Sequence, residues 1–271
     1  MKMYLQNLHT HSTYCDGKDS LEEMCERAVE LGFNSIGFSR HCNMPYNSPF
    51  VKKELVGEYL QKSKELKEKY KDKLDIFCGA EFDLFTTETP ENYDYIIASV
   101  HYMKIDGELV GFDRSADSVR EMVDKYFDGD GLKFVKRAYA ECYKIGDFKT
   151  DIVGHFDLVT KQAKATGIFD EDSKEYQSIA LEALHTVAER VKVFEINTGC
   201  VPRGYRDTPY LAPFLVKELK KLDCQICITS DCHDKNYFDA SYEEAKERLL
   251  VCGYKNIAVL TKDGFKEEAI I

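Results

Sequence analysis

Near its amino terminus the chain reads LQNLHTHSTYCDG over residues 5–17. An apolar-leaning run of strand length ends there at His9 and His11, and an Asp-Gly turn follows at Asp16. Side chains two residues apart in an extended segment point to the same side, so both imidazoles can face one cation at the end of a strand. Neutral imidazoles with a hard carboxylate suit a hydrolytic zinc, iron or manganese site. The pair alone is a weak signal, because histidines near a core are often simply hydrogen-bonded.

Length and composition limit the class of protein. With 271 residues, 44% of them hydrophobic, the chain can bury a large core. No apolar run approaches a membrane span, and the first residues lack the layout of a signal peptide, so we expect a cytoplasmic protein without a membrane partner. No repeat or linker divides the sequence, and we predict one domain over residues 1–271, as a monomer or small homo-oligomer.

The net charge limits the classes of partner, and the positions of the cysteines indicate their redox state. The net charge of -11 argues against nucleic acid as a partner, since nucleic-acid-binding proteins usually carry a basic face. A small anionic substrate is compatible with this charge, because cations inside a pocket can override the global field. The 10 cysteines are scattered through predicted strands and helices, so we expect reduced thiols, with Cys224 and Cys227 packed in the core.

Apolar strands alternate with amphipathic helices along the whole chain. Capping boxes at Ser20 and Ser241 predict two helix starts, and Asp106-Gly107 predicts a hairpin tip. This alternation predicts a parallel sheet covered by helices and closed into an α/β barrel. The predicted strands cover residues 4–8, 34–39, 74–78, 95–100, 151–154, 193–197, 224–229 and 256–260, and the predicted helices cover 21–31, 51–71, 117–145 with a break near 129–131, 173–190 and a last one after 241.

Polar residues follow the carboxyl end of each predicted barrel strand. In an α/β barrel these ends share one face, which holds the active site. Of the chain's 7 histidines only His185 falls within a helix, where we expect a structural role. The candidate metal ligands that should meet at this face are His9, His11, Asp16, His41, Glu81, His101, His155, Asp231 and His233.

This set is too large for one or two ions at three or four protein ligands each, and it fits three. Three carboxylates facing three divalent cations leave a net charge of about +3, which attracts a phosphate dianion. The chemistry therefore favours a metal-assisted phosphoester hydrolase. Amide or amidine hydrolysis is the main chemical alternative, but it typically needs fewer metals and a bridging lysine at a strand end. Lys161, six residues past His155, is poorly placed for that role.

The order of these motifs resembles the PHP (polymerase and histidinol phosphatase) superfamily, and within it the stand-alone histidinol-phosphate phosphatases of histidine biosynthesis. The motifs span residues 9 to 233. The resemblance implies a distorted (β/α)7 TIM-like barrel, to which the last strand is an addition. It also implies three divalent ions (Zn, Mn or Fe). The motifs are His9-x-His11, Asp16-Gly17, His41, Gly79-Ala80-Glu81, Ser99-Val100-His101, Gly154-His155-Phe156-Asp157 and Ser230-Asp231-Cys232-His233.

By similarity, the ligands divide among three ions. Glu81 would bridge the first two ions and hold the attacking water, and Asp231 or His233 would manage the proton, which makes these three residues the catalytic candidates. The implied sets are His9, His11, Glu81 and Asp231 for the first ion, Glu81, His101 and His155 for the second, and Asp16, His41 and His233 for the third.

The sequence offers several candidates for binding the substrate and two alternative functions. Arg203, Arg206 and Arg40 are candidates for binding phosphate, although Arg40 stands where family members often carry an acidic residue. Ser230 is a further candidate donor to a phosphoryl oxygen. For the amine of L-histidinol phosphate the candidates are Asp113, Asp157 and Glu195. The alternatives are a phosphoesterase or exonuclease acting on nucleotides, and a non-catalytic metal-binding module.

Overall fold

The computed structural model describes residues 3–45 and 51–271. In these ranges the strands are β1 (Gln6–Asn7), β2 (Ser35–His41), β3 (Asp75–Asp83), β4 (Tyr95–Ser99), β5 (Tyr102–Ile105), β6 (Glu108–Gly111), β7 (Ile152–Val153), β8 (Val193–Asn197), β9 (Gln225–Thr229), β10 (Asn256–Thr261) and β11 (Gly264–Ala269). The α-helices are α1 (Leu21–Glu30), α2 (Val56–Tyr70), α3 (Ala116–Phe127), α4 (Gly131–Cys142), α5 (Ala163–Thr166), α6 (Lys174–Ala188), α7 (Pro213–Lys221) and α8 (Tyr242–Val251).

Seven parallel strands form one sheet in the order β1-β2-β3-β4-β7-β8-β9. Just beyond the first and last of these strands, Thr10 and Cys232 form a parallel bridge. The His11 amide donates to the Cys232 carbonyl over 2.8 Å, and the Cys232 amide donates to the His9 carbonyl over 3.1 Å. These bonds close the sheet into a distorted seven-stranded barrel, which confirms the predicted fold class.

Apolar side chains fill the inside of the barrel. Tyr95 crosses it and donates its hydroxyl hydrogen bonds to the carbonyls of Leu8 and Phe38. A Cβ on Gly37 or Gly79 would lie 2.3 Å from Tyr95 atoms, so both strands need glycine at these points. The inner core comprises Leu8, Phe77, Tyr95, Ile97, Ile152, Val193, Cys227, Ala258 and Leu260. A larger core packs the helices against the outside of the sheet.

Several local predictions are confirmed. Ser20 forms the predicted capping box with Glu23 at the start of α1. The break between α3 and α4 falls at Asp128 and Gly129, which have φ of 56° and 77°. β5 and β6 form the predicted hairpin. All 10 cysteines are buried free thiols, and none of the helices in the described ranges is long and apolar enough to cross a bilayer.

Other local predictions are wrong or incomplete. Ser241 has a φ of 57° and makes no side-chain cap, so the second capping box is wrong. The last strand, β10, pairs with an unpredicted β11 in a hairpin outside the barrel sheet. Gln6 holds this hairpin against the barrel through hydrogen bonds to the Leu260 carbonyl and amide. Helix α7 was not predicted either, and β3 continues through Glu81.

Candidate metal centre

Glu81 lies at the centre of the barrel mouth, 2% exposed, with imidazoles around both carboxylate oxygens. Its Oε2 lies 3.5 Å from His9 Nε2 and 3.6 Å from His11 Nε2. Its Oε1 lies 3.0 Å from His155 Nε2 and 3.4 Å from His101 Nε2. His41 Nδ1 lies closest to Oε2, at 2.9 Å. The two oxygens therefore face different sets of histidines, an arrangement that suits a carboxylate shared by two ions.

Asp16 brings together the remaining ligands at the outer side of the mouth. Its Oδ1 lies 3.4 Å from His41 Nε2 and 3.4 Å from His233 Nε2. Asp231 Oδ1 lies 3.2 Å from His11 Nε2, and His11 in turn stacks on His233 with ring centroids 4.1 Å apart. With these contacts, all nine candidate ligands meet in one place.

The ligand atoms fall into four overlapping groups, and within each group they lie within 4.8 Å of one another. Two groups contain, in full, the sets that the family resemblance implies for the second and third ions. The set implied for the first ion is divided between the other two groups. The groups are His11, Asp16, His41 and His233; Glu81, His101 and His155; His9, His11 and Glu81; and His9, His155 and Asp231.

Unpartnered buried polar atoms are concentrated in this cluster. Within the described residues, five atoms of the candidate ligands have no hydrogen-bond partner, namely His9 Nε2, His11 Nε2, Asp16 Oδ1, Glu81 Oε2 and His155 Nδ1. A buried polar atom without a partner costs about 1–3 kcal/mol, a cost that bound cations would offset for the atoms that face them. The donor set is nitrogen and carboxylate oxygen, which suits zinc, manganese or iron. The residues present therefore fit divalent metal ions.

The carboxylates and imidazoles of the cluster shift one another's pKa values and so determine which groups are charged. Burial alone would raise the pKa of Glu81, but the charges of His9, His41 and His101 hold it well below its usual value. Burial opposes protonation of His101, yet Glu81 and Asp83 raise its pKa to about 10. Without metal the centre is thus a set of ionised carboxylates balanced by protons on imidazoles.

Burial and the charges of His233 and His41 lower the pKa of His11 to about 3. His11 therefore keeps a neutral ring at pH 7 while its neighbour His101 does not. The Nδ1 of His11 lies 3.4 Å from the Cys15 thiol, which leaves Nε2 directed at the cluster. A neutral, oriented imidazole is the form that binds a metal.

A cavity of about 450 Å³ opens over the cluster. Arg203 reaches into it, donating to Asp231 Oδ2 over 2.8 Å and lying 3.1 Å from His233 Nδ1. It is the one predicted phosphate-binding arginine that lines this cavity. Other lining residues are Met44, Tyr102, Asp113, Arg114, Leu158, Lys161, Tyr205 and Tyr210.

The structure does not bring Arg206, a predicted phosphate-binding residue, to the cavity. Arg206 does not line the cavity, because its guanidinium pairs with both oxygens of Glu171 at 2.9 and 2.8 Å and donates to Thr160. It also lies over the ring of Tyr210 at 5.5 Å. Although Arg206 lies only three positions after Arg203, it holds neighbouring loops together.

Arg40 and Ser230, also predicted to contact the substrate, do not line the cavity either. Arg40 alternates with His41 along β2 and therefore points to the opposite face of the strand. There it is 1% exposed and donates to Glu88 over 2.8 Å. Ser230 Oγ accepts a hydrogen bond of 2.6 Å from Asn7 Nδ2 inside the barrel.

Of the three acidic candidates for binding the substrate amine, one lines the cavity and two are buried elsewhere. Asp113 lines the cavity and pairs with Lys161, which also lines the cavity although it is not among the sequence candidates for the site. Asp157 is buried and accepts the Ala212 amide over 2.8 Å. Glu195 lies beneath His9, fully buried. Its position in the middle of an apolar strand was the available signal that it faces inward.

His185 is remote from the cluster. It lies on α6 and its Nε2 is 2.9 Å from Glu218 on α7, with 51% of the side chain exposed. This position agrees with the structural role expected for it.

The chain is similar to one known protein family and to two named proteins. The family model described as PHP domain matches residues 7–199. A Schizosaccharomyces pombe protein named "Probable histidinol-phosphatase" is 24% identical, covering 94% of this chain and 89% of its own length. The Bacillus subtilis protein named "Histidinol-phosphatase" is 24% identical, covering 89% of this chain and 97% of its own length.

Two solved structures share the fold. A histidinol phosphatase candidate from Listeria monocytogenes has a TM-score of 0.77 at 22% identity, covering 88% of this chain and 99% of that chain. The histidinol phosphate phosphatase of Lactococcus lactis has a TM-score of 0.67 at 20% identity, covering 97% of this chain and 98% of that one. That structure is a complex with zinc, L-histidinol and phosphate.

Proposed function

The chain belongs to the PHP domain family, and we propose that it is a metal-dependent phosphatase that hydrolyses L-histidinol phosphate to L-histidinol and phosphate. The observation that carries this proposal is the cluster of nine imidazole and carboxylate ligands around Glu81. The proposal takes residues 1–271 as one phosphoesterase domain that binds three divalent ions. Two relatives of nearly the same extent carry the name histidinol-phosphatase, which supports the choice of substrate.

In this proposal, four residues at the cavity have a defined chemical role. Divalent ions bound to the cluster would polarise the phosphoryl group and lower the pKa of water. Glu81 would be a ligand common to two of these ions. Arg203 would donate to an equatorial phosphoryl oxygen, where charge develops in phosphoryl transfer. Asp231 and His233, both in contact with Arg203, are placed to hold the proton of water or of the leaving alkoxide.

The cavity wall suits the cationic end of this substrate. Asp113 brings a carboxylate to the cavity, and its pairing with Lys161 fixes that carboxylate in place. Tyr205 lies beside this pair, with Lys161 Nζ 4.2 Å from its ring centroid. An amine can pair with the carboxylate, and an imidazole ring can pack on an aromatic face.

Phosphate release from a panel of phosphomonoesters tests the proposal. The purified protein would be supplied with zinc or manganese and offered L-histidinol phosphate, nucleoside monophosphates and simple alkyl phosphates at equal concentration. We expect L-histidinol phosphate to give the highest kcat/KM. A preference for nucleotides would replace the proposed substrate by the nucleotide alternative, and no hydrolysis of any ester by metal-loaded protein would favour the non-catalytic module.

A further inference from the structure

Glu195 forms an unusually complete set of hydrogen bonds beneath the metal centre. It lies in β8 and is fully buried. Its Oε1 accepts from the His155 amide over 2.8 Å and from Asn197 Nδ2 over 2.9 Å. Its Oε2 accepts from the Thr229 hydroxyl over 2.8 Å and lies 2.9 Å from His9 Nδ1. Every donor in this set belongs to a residue at or next to the carboxyl end of a barrel strand.

The carboxylate determines which nitrogen of His9 is free. An ionised carboxylate accepts hydrogen bonds only, so Nδ1 of His9 must carry a proton toward it. The other nitrogen, Nε2, points toward Glu81 at 3.5 Å and Asp231 at 3.7 Å and has no hydrogen-bond partner. When Nε2 gives up its proton to bind a metal, His9 presents a directed lone pair to the cluster, on the side opposite Glu195.

We propose that Glu195 is a positioning residue for metal binding. It acts on His9 by fixing the orientation and tautomer of the ring. It acts on His155 by accepting the hydrogen bond of its amide, which fixes the start of the loop that carries His155. This inference rests on the proposed function, since it takes His9 and His155 as metal ligands. A carboxylate behind a metal-bound histidine raises the basicity of that ligand and limits its rotation. Glu195 is fully buried, so this role differs from the contact with the substrate amine for which it is a sequence candidate.

A buried carboxylate could instead serve the fold alone, and the chain offers a control for that role. Glu141 is also fully buried, and its carboxylate accepts the Lys104 amide and pairs with Arg137 and Lys144, away from the cluster. Glu195→Gln and Glu141→Gln are the same chemical change at two equally buried positions. If Glu195 only supports the fold, the two variants should bind metal alike.

The test is a zinc titration of metal-free protein against a chelating competitor, with thermal unfolding of the metal-free forms in parallel. We expect Glu195→Gln to weaken the affected zinc site about 10- to 100-fold, and Glu141→Gln to leave zinc affinity unchanged. Nitrogen-15 shifts of the His9 ring in the zinc-bound protein should report a protonated Nδ1 and an unprotonated Nε2 in the wild type, and this signature should be lost in Glu195→Gln.

The outcomes separate this inference from the proposed function. Unchanged zinc affinity in Glu195→Gln would overturn the inference and leave the function intact. A wild-type protein that binds no divalent metal would overturn both. Should Glu195→Gln fail to fold, Thr229→Val removes one donor from the same carboxylate at nearly constant volume. We then expect a several-fold weaker zinc site, and unchanged affinity in this variant would also overturn the inference.

Discussion

Arg203 donates a hydrogen bond of 2.8 Å from its guanidinium to Asp231 at the wall of the metal centre. The same guanidinium lies 3.1 Å from His233 Nδ1 and donates from Nε to the Gly199 carbonyl over 2.8 Å. A Cβ on Gly199 would lie 2.4 Å from the Ser230 carbonyl oxygen and 2.7 Å from the guanidinium, so glycine is needed there. The arginine is therefore held at the edge of the cavity, with its charge directed at the ligands.

Replacing Arg203 should damage catalysis more than stability. We expect Arg203→Met to lower kcat/KM about 100- to 1,000-fold, as loss of one preorganised donor to a developing anion does. Steady-state phosphate release at saturating metal measures the effect, with metal content determined because Arg203 contacts Asp231. A variant that keeps its metal and its kcat/KM would contradict a role in binding phosphate.

Arg40 should show the reverse behaviour. It is buried against Glu88, Tyr93 and Asn43, and removal of one partner from a buried ion pair costs about 3–5 kcal/mol. Arg40→Met should therefore lower the free energy of unfolding by that amount in urea denaturation. Its kcat/KM per folded molecule should match the wild type. A folded Arg40→Met protein with a greatly raised KM would return Arg40 to the phosphate site.

Much of this site was readable from the sequence for a physical reason. Strand ends of a parallel barrel share one face, so His101 and His155, 54 positions apart in the chain, could be expected to meet. The alternation of side chains along a strand would also have separated Arg40 from His41. Applying this rule to every residue of β2, and not to the histidine alone, would have removed Arg40 from the phosphate candidates.

Loop conformation was not readable in the same way. Arg203 and Arg206 follow the same strand, yet only the first lines the cavity, because the partner of Arg206 is Glu171, 35 residues away. The sequence predicts β10 but not its partner β11, because the charged residues of β11 give no apolar alternation. In both cases the outcome depends on tertiary contacts that local pattern does not encode.

Removal of metal should unfold the protein more easily as well as inactivate it. The ligand residues include buried polar atoms without a hydrogen-bond partner in the described part of the chain, and bound cations would offset the cost of burying them. Metal present at 1,000 times its dissociation constant contributes about 4 kcal/mol. Dialysis against a chelator should therefore lower the melting temperature, and elemental analysis of the untreated protein should find about three ions per chain. Equal melting temperatures with and without metal would contradict the assignment of this cluster.

Glu81 should be the least replaceable ligand. Glu81→Gln keeps the size of the side chain but removes the charge that faces His9, His11, His101 and His155, so we expect loss of metal and of nearly all activity. His185→Asn changes a surface ion pair worth about 0–1 kcal/mol and should leave kcat/KM unchanged. Phosphate release by the two variants provides the comparison. Equal effects would refute the location of the site.

Metal binding should release protons, and its affinity should therefore rise with pH. Burial works against a charged His101, but Glu81 and Asp83 raise its pKa to about 10 in the metal-free protein. At pH 7 this ring is protonated and must lose its proton before it can bind a metal. Since the raised pKa lies above the assay range, we expect affinity to increase about tenfold per pH unit for each proton released between pH 6 and 8. Zinc calorimetry in buffers of different ionisation enthalpy counts these protons, and a release of none at pH 7 would show that His101 is already neutral in the metal-free centre.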